Sequence, residues 1–169
     1  MKLARILIPL DGSEMAEAAI APALEIAQPG STLILVRAAE ARMLPGTDVM
    51  DAQIRVVQEA EEYLAGVKDK LERAGVERVD THVWYGSAAP AVVEAARVHK
   101  VDAIVMSTHG RSGLGRIIFG SVAESVLRST HVPILVVRPS GAPLDTPAGQ
   151  AEARPAGKSE PSPRTEALR

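Results

Sequence analysis

A chain of 169 residues, 46% of them hydrophobic, can bury one substantial core, and its length argues for one domain plus an appendage. Nineteen basic against 21 acidic side chains leave a formal net charge of −2. With no basic run, broad binding to nucleic acid or to an anionic membrane has no electrostatic support, though a local patch stays open, and the absence of cysteine excludes disulfides, thiolate nucleophiles and zinc-cysteine sites.

The chain opens on "MKLARILIPLDGSE", an apolar run too short for a signal segment that meets Pro9, Asp11 and Glu14 at once. No apolar segment approaches the roughly 20 residues that cross a bilayer, so a soluble, cytoplasmic protein is expected. Residues 5–8 read as a first strand. A helix over residues 13–27 follows, with Ala16, Ala19, Ile20, Ala23 and Ala27 on one face and Pro22 set to kink or divide it. Residues 32–37 are a second apolar strand. Ile54, Val57, Ala60 or Glu61, Leu64, Val67, Leu71 and Ala74 then recur every three or four residues, and Gly75 stops that helix.

The third strand, residues 79–84, alternates apolar and polar positions and belongs at a sheet edge. A helix over 88–99 carries Pro90 in its first turn, where a missing N–H is tolerated. Residues 103–106 and 134–137 supply two more apolar strands, with a helix between them from Ser121. "SVAE" at its start has the spacing of a capping box between Ser121 and Glu124. After Pro139 the chain is rich in Pro, Ala, Gly and Ser and has no apolar period, so residues 140–169 read as a disordered tail appended to a domain of residues 1–139.

Alternating strands and helices predict an α/β three-layer sandwich, a five-stranded parallel sheet with helices on both faces. The expected order is 3-2-1-4-5, with the winding reversed between the first and fourth strands. In such sheets ligands bind beyond the C-terminal strand ends at that reversal. Two loops meet there, "PLDGSE" and "MSTHGRSGLGR". Gly110, Gly113 and Gly115 allow a backbone that turns sharply and points N–H groups inward, and Gly120-Ser121 opens a helix whose N-terminus attracts anions. Arg111 and Arg116 can add positive charge. These features suit phosphate, though a mobile loop before a well-capped helix would look similar. The segment lacks the Gly-Lys-Ser/Thr of a P-loop, and its glycines follow the fourth strand where a dinucleotide fingerprint follows the first. Asp11 can accept from ribose hydroxyls or an adenine amine, or else cap the first helix.

These residues resemble the universal stress protein family in its ATP-binding branch. The family pattern is Gly, two residues, Gly, nine residues, then Gly-Ser or Gly-Thr. "STHGRSGLGRIIFGS" supplies Gly110 and Gly120-Ser121 at that spacing, while Ser107 stands at the first glycine. "ILIPLDGSE", "LILVRAA", "YGSAAPAVVEAA" and "VPILVVRP" extend the similarity over about residues 2–139. The resemblance implies an adenine-nucleotide α-hydrolase-like, Rossmann-like fold and ATP as ligand. By it, Pro9 and Asp11 border the adenosine, Ala38 lies at the adenine edge, and Met106 and Ser107 line the pocket beside the ribose. Gly110, Gly113, Gly120, Ser121 and Val122 surround the phosphates, with Arg111 nearby. A divalent ion, Mg or Mn, is held mainly by the phosphates.

No catalytic residue stands out. His82, His99 and His131 have no metal-site spacing, His109 lies in the glycine loop, and no nucleophile elbow occurs. Three functional classes follow: an ATP-dependent regulatory module, a slow ATPase or autophosphorylating protein using Ser121 or Thr108, and a nucleotide-free dimeric scaffold. A homodimer through Ile134, Leu135, Val136 and Val137 is expected in each, because an apolar edge strand is best hidden by pairing with its copy. An unidentified protein partner fits the regulatory class; nucleic acid and membrane do not.

Overall fold

The computed structural model describes residues 3–41, 48–107 and 120–138. Five strands, β1 (Arg5–Pro9), β2 (Thr32–Ala39), β3 (Val79–Tyr85), β4 (Ala103–Ser107) and β5 (Ile134–Val137), form one sheet in the order β3-β2-β1-β4-β5. Every pairing is parallel, with Leu7 opposite Ile34 on one side and Ile104 on the other. This is the sheet expected from the sequence. The alternating third strand is indeed at an edge, and the winding reverses between β1 and β4.

The strand period of two divides the core into two halves. Ile6, Ile8, Leu33, Leu35 and Val105 face one way and pack against the helices α1 (Glu14–Glu17), α2 (Ile20–Ile26) and α3 (Val49–Arg73). Leu7, Ile34, Val36, Ile104 and Met106 face the other way, onto α4 (Ala88–Val98) and α5 (Ser121–Ser129). Because both faces are covered, β1, β2 and β4 read as continuous apolar runs.

Helix ends follow from local chemistry. In α3, Asp48 caps the start by accepting from the N–H groups of Met50 and Asp51 at 2.8 and 3.2 Å. Its far end closes through Gly75 at φ +93°, where Val76 N–H donates to Leu71 C=O and Gly75 N–H to Glu72 C=O, each at 3.0 Å. The helix expected over residues 13–27 is divided, but at Ala18 and Ala19. Pro22 is the third residue of α2, where the missing N–H has no intrahelical acceptor to lose.

The capping box expected at Ser121 and Glu124 does not form. Gly120 is the N-cap of α5, and Glu124 N–H donates to the Gly120 carbonyl at 2.9 Å. That shift puts Ser121 inside the helix, too far along to cap it. The Glu124 carboxylate instead takes a 2.7 Å bond from Arg128 one turn on.

Candidate nucleotide site

The C-terminal ends of β1, β2 and β4 and the start of α5 enclose a cavity of about 530 Å³, within the range of small-molecule sites. Its position is the reversal point of the sheet, where flanking strands turn their following helices to opposite faces.

From β1 the chain runs through Pro9 and the buried Leu10, whose N–H donates to Val36 C=O at 2.8 Å. Asp11 follows at the cavity wall. One of its carboxylate oxygens, Oδ1, accepts from Ser13 N–H at 2.9 Å and from Ser13 Oγ at 2.6 Å, which folds a tight turn through Gly12 at φ +89°. The cap of α1 is Ser13, whose hydroxyl accepts from Ala16 N–H at 3.1 Å. Asp11 therefore orients the capping residue instead of capping the helix itself.

Opposite, Val36 and Ala38 of β2, Val92 of α4 and Met106 of β4 give the cavity an apolar side. Ser107, 8% exposed, ends β4 in register with Val137 and lines the same space. At the remaining end stand Gly120, Ser121 and Val122. No side chain caps α5, and the hydrogen-bond ladder begins only at Glu124, so the N–H groups of Ser121, Val122 and Ala123 precede it. The helix adds roughly half a positive charge there.

Of the residues expected in the site, Pro9, Asp11, Ala38, Met106, Ser107, Gly120, Ser121 and Val122 all border this one cavity. Gly110, Arg111 and Gly113 lie outside the described residues, as do Thr108 and His109. Among the described residues no cluster of three or more His, Asp or Glu side chains is placed to hold a metal ion. Sequence reasoning missed Leu10, Val36, Val92 and Arg37 as lining residues. Arg37 carried a signal, as the one charged residue in the strand "TLILVRAA".

Arg37 belongs to a polar group beneath the β1 and β2 ends. Its guanidinium carbon lies 5.0 Å from the centre of the Tyr63 ring, and Tyr63 donates its hydroxyl to Glu17 Oε1 at 2.9 Å. Burial raises the Tyr63 phenol well above its ordinary value, and the hydrogen bond to Glu17 and the charges of Glu17 and Asp11 add to this, with Arg37 opposing. A second ring pair lies away from the cavity, at the other end of α4. His82 of β3 and His99 stack at 4.0 Å between ring centres, and Trp84 meets His99 edge-on. Burial holds the His99 imidazole below its ordinary range, and the nearby His82 and Arg5 charges push the same way against Asp80.

Known proteins share this architecture. Universal stress protein MJ0531 of Methanocaldococcus jannaschii is 35% identical over 139 residues, 79% of this chain and 81% of its own. Among solved structures, MJ0577, a protein whose biochemical function was assigned from its structure, superposes with a TM-score of 0.69 at 27% identity, covering 83% of this chain and 99% of its own. A universal stress protein in complex with cAMP (TM-score 0.61, 21% identity, 79% of this chain and 95% of its own) has the same fold. So does an Arabidopsis thaliana family protein with AMP bound (TM-score 0.60, 12% identity, 82% and 93%). The pattern described as "Universal stress protein family" matches residues 2–138, and the chain belongs to that family.

Proposed function

We propose that this chain binds an adenine nucleotide, ATP first among them, and acts as a nucleotide-dependent regulatory module in the response to stress. The observation that carries this reading is a single cavity of about 530 Å³ with an apolar slot at one side and an uncapped helix N-terminus at its end. A flat, weakly polar base suits the slot between Ala38, Val92 and Met106. A phosphate chain suits the N–H groups that open α5. By the family resemblance, Gly110, Arg111 and Gly113 would also contact the phosphates. Relatives of the same fold bind cAMP and AMP, which supports an adenine ligand.

Mg or Mn would enter with the nucleotide, held by phosphate oxygens and water, because no described cluster of protein ligands supplies a cage. The chain's own residues then bind and orient. Residues 1–139 are the working domain and 140–169 an appended tail, the whole acting in the cytoplasm. The second copy in a homodimer would lie along β5, whose outer edge has no partner strand among the described residues and whose Leu135 is 40% exposed.

Titration calorimetry on the full chain with ATP, AMP, cAMP and GTP tests the reading. The expected order places ATP tightest, ahead of AMP because α5 contacts the outer phosphates, and well ahead of GTP. No heat with millimolar ATP overturns it.

A further inference from the structure

Arg37 interrupts an otherwise uncharged strand between the buried Val36 and Ala39. Alternation along β2 sends Val36 and Ala38 toward α4 and α5, and Arg37 toward α1 and α3. Two neighbours border its guanidinium there. The Tyr63 ring lies on one side, 5.0 Å from the guanidinium carbon, and is itself fixed by the bond from its hydroxyl to Glu17. Gly12 borders it on another side: a Cβ on Gly12 would meet Nη2 at 3.4 Å and Cζ and Nη1 at 3.5 Å, ordinary van der Waals distances.

A planar cation set over the Tyr63 ring keeps its N–H edge for other partners, and Arg37 lines the cavity. Guanidinium carries five donors and no acceptor. Among the described residues none of these donors makes a hydrogen bond to the protein. Asp11, one residue before Gly12, brings an acceptor to the same wall. Donor and acceptor side by side match a group that both gives and takes a hydrogen bond, as a sugar hydroxyl does. The base is drawn to the opposite, apolar side of β2.

We propose that Arg37 is the donor arm of a sugar clamp, completing Asp11, through which this site selects ribonucleotides over deoxyribonucleotides. The inference rests on the nucleotide reading above and adds its selectivity. Asp11 accepts from one hydroxyl of the ribose, and the Arg37 fork donates to an oxygen of the same diol.

Calorimetry on the full chain with ATP, 2′-deoxyATP and 3′-deoxyATP, repeated for Arg37→Met and Arg37→Lys, decides the matter. The unaltered protein should bind at least one deoxynucleotide about tenfold more weakly than ATP, the loss expected for one charge-assisted hydrogen bond. Arg37→Met should bind ATP about tenfold more weakly and lose about tenfold of the preference against the deoxynucleotide that lacks the oxygen Arg37 donates to, whatever preference the Asp11 bond sustains. Arg37→Lys, which keeps the charge without the flat fork, should also lose most of the preference; should the Met variant fail to fold, this one decides. Preferences against both deoxynucleotides that are unchanged in either folded variant overturn the clamp, as does equal affinity of the unaltered protein for ATP and both deoxynucleotides. In those cases ATP binding itself stands. Absence of any ATP heat removes the nucleotide reading and the clamp with it.

Discussion

Replacing Tyr63 by Phe removes one oxygen and leaves the ring on which Arg37 rests. The lost contact is the 2.9 Å bond to Glu17, a bond to a charged acceptor at a half-buried position. Such bonds stabilise by about 1.5–3 kcal/mol, but Glu17 stays partly in water and can recover a partner, so the cost near neutral pH should be about 1 kcal/mol. The same oxygen titrates. In the unfolded chain the phenol loses its proton above about pH 10, while in the folded protein burial and Glu17 hold the proton to higher pH. A raised folded value means that the stabilisation is complete below about pH 10 and is lost as the pH rises beyond it. The slope reaches about 1.4 kcal/mol per pH unit, and solvent screening at this part-exposed site brings the loss to roughly 1 kcal/mol by about pH 11. Urea unfolding of both proteins in matched buffers from about pH 7 to about pH 11 reads the difference directly, because the lysines and other groups they share cancel. The unaltered protein should start about 1 kcal/mol ahead, and the gap should close above about pH 10. A gap that stays constant or widens there would count against a half-buried phenol held neutral.

The stacked imidazoles give a prediction of opposite sign. His99 is held below its ordinary range, so stability is complete above about pH 6.5 and falls as the pH drops toward its folded value. Nuclear magnetic resonance should show His99 titrating lower than a free imidazole, and His99→Gln should flatten the acid limb of the stability curve; titration at or above the ordinary value would count against it. At the other sheet edge, Leu135→Lys places a charge on the exposed side of β5 and should yield monomers in sedimentation. Dimers unchanged by it would remove that strand from the interface.

Much of this fold is legible because its parts are local and redundant. The apolar runs of β1, β2 and β4, the three-to-four spacing along α3 and the stop at Gly75 each report a packing face without reference to anything distant. The short helix α5 is less legible. Its start can be read at Gly120 or Ser121, since serine is the better capping side chain and Glu124 lies three residues beyond it. In the fold Gly120 takes the N-cap position, and the side-chain bond is forfeited. What that leaves uncapped is the first turn of α5, whose residues line the cavity, so a failed local rule coincides with the candidate anion site. Arg37 was obscured for a related reason. In a search for strands it is a minor blemish in an apolar run, and only the sheet register and the positions of Gly12 and Tyr63 give the guanidinium its setting.

Ser107 shows how far a departure from a sequence pattern depends on backbone. Where the family pattern has glycine, serine would be costly if the residue needed a positive φ. In this chain it is the last residue of β4, paired with Val137, and among the described residues other than glycine only Lys100 has a positive φ. The Cβ is therefore accommodated by ordinary extended backbone. Its effect is confined to the cavity, which Ser107 lines while only 8% exposed. A hydroxyl there brings both a donor and an acceptor to the floor of the site, between the apolar slot and the start of α5. The serine narrows the space by one small polar group and leaves the strand β4 beside the start of α5 intact.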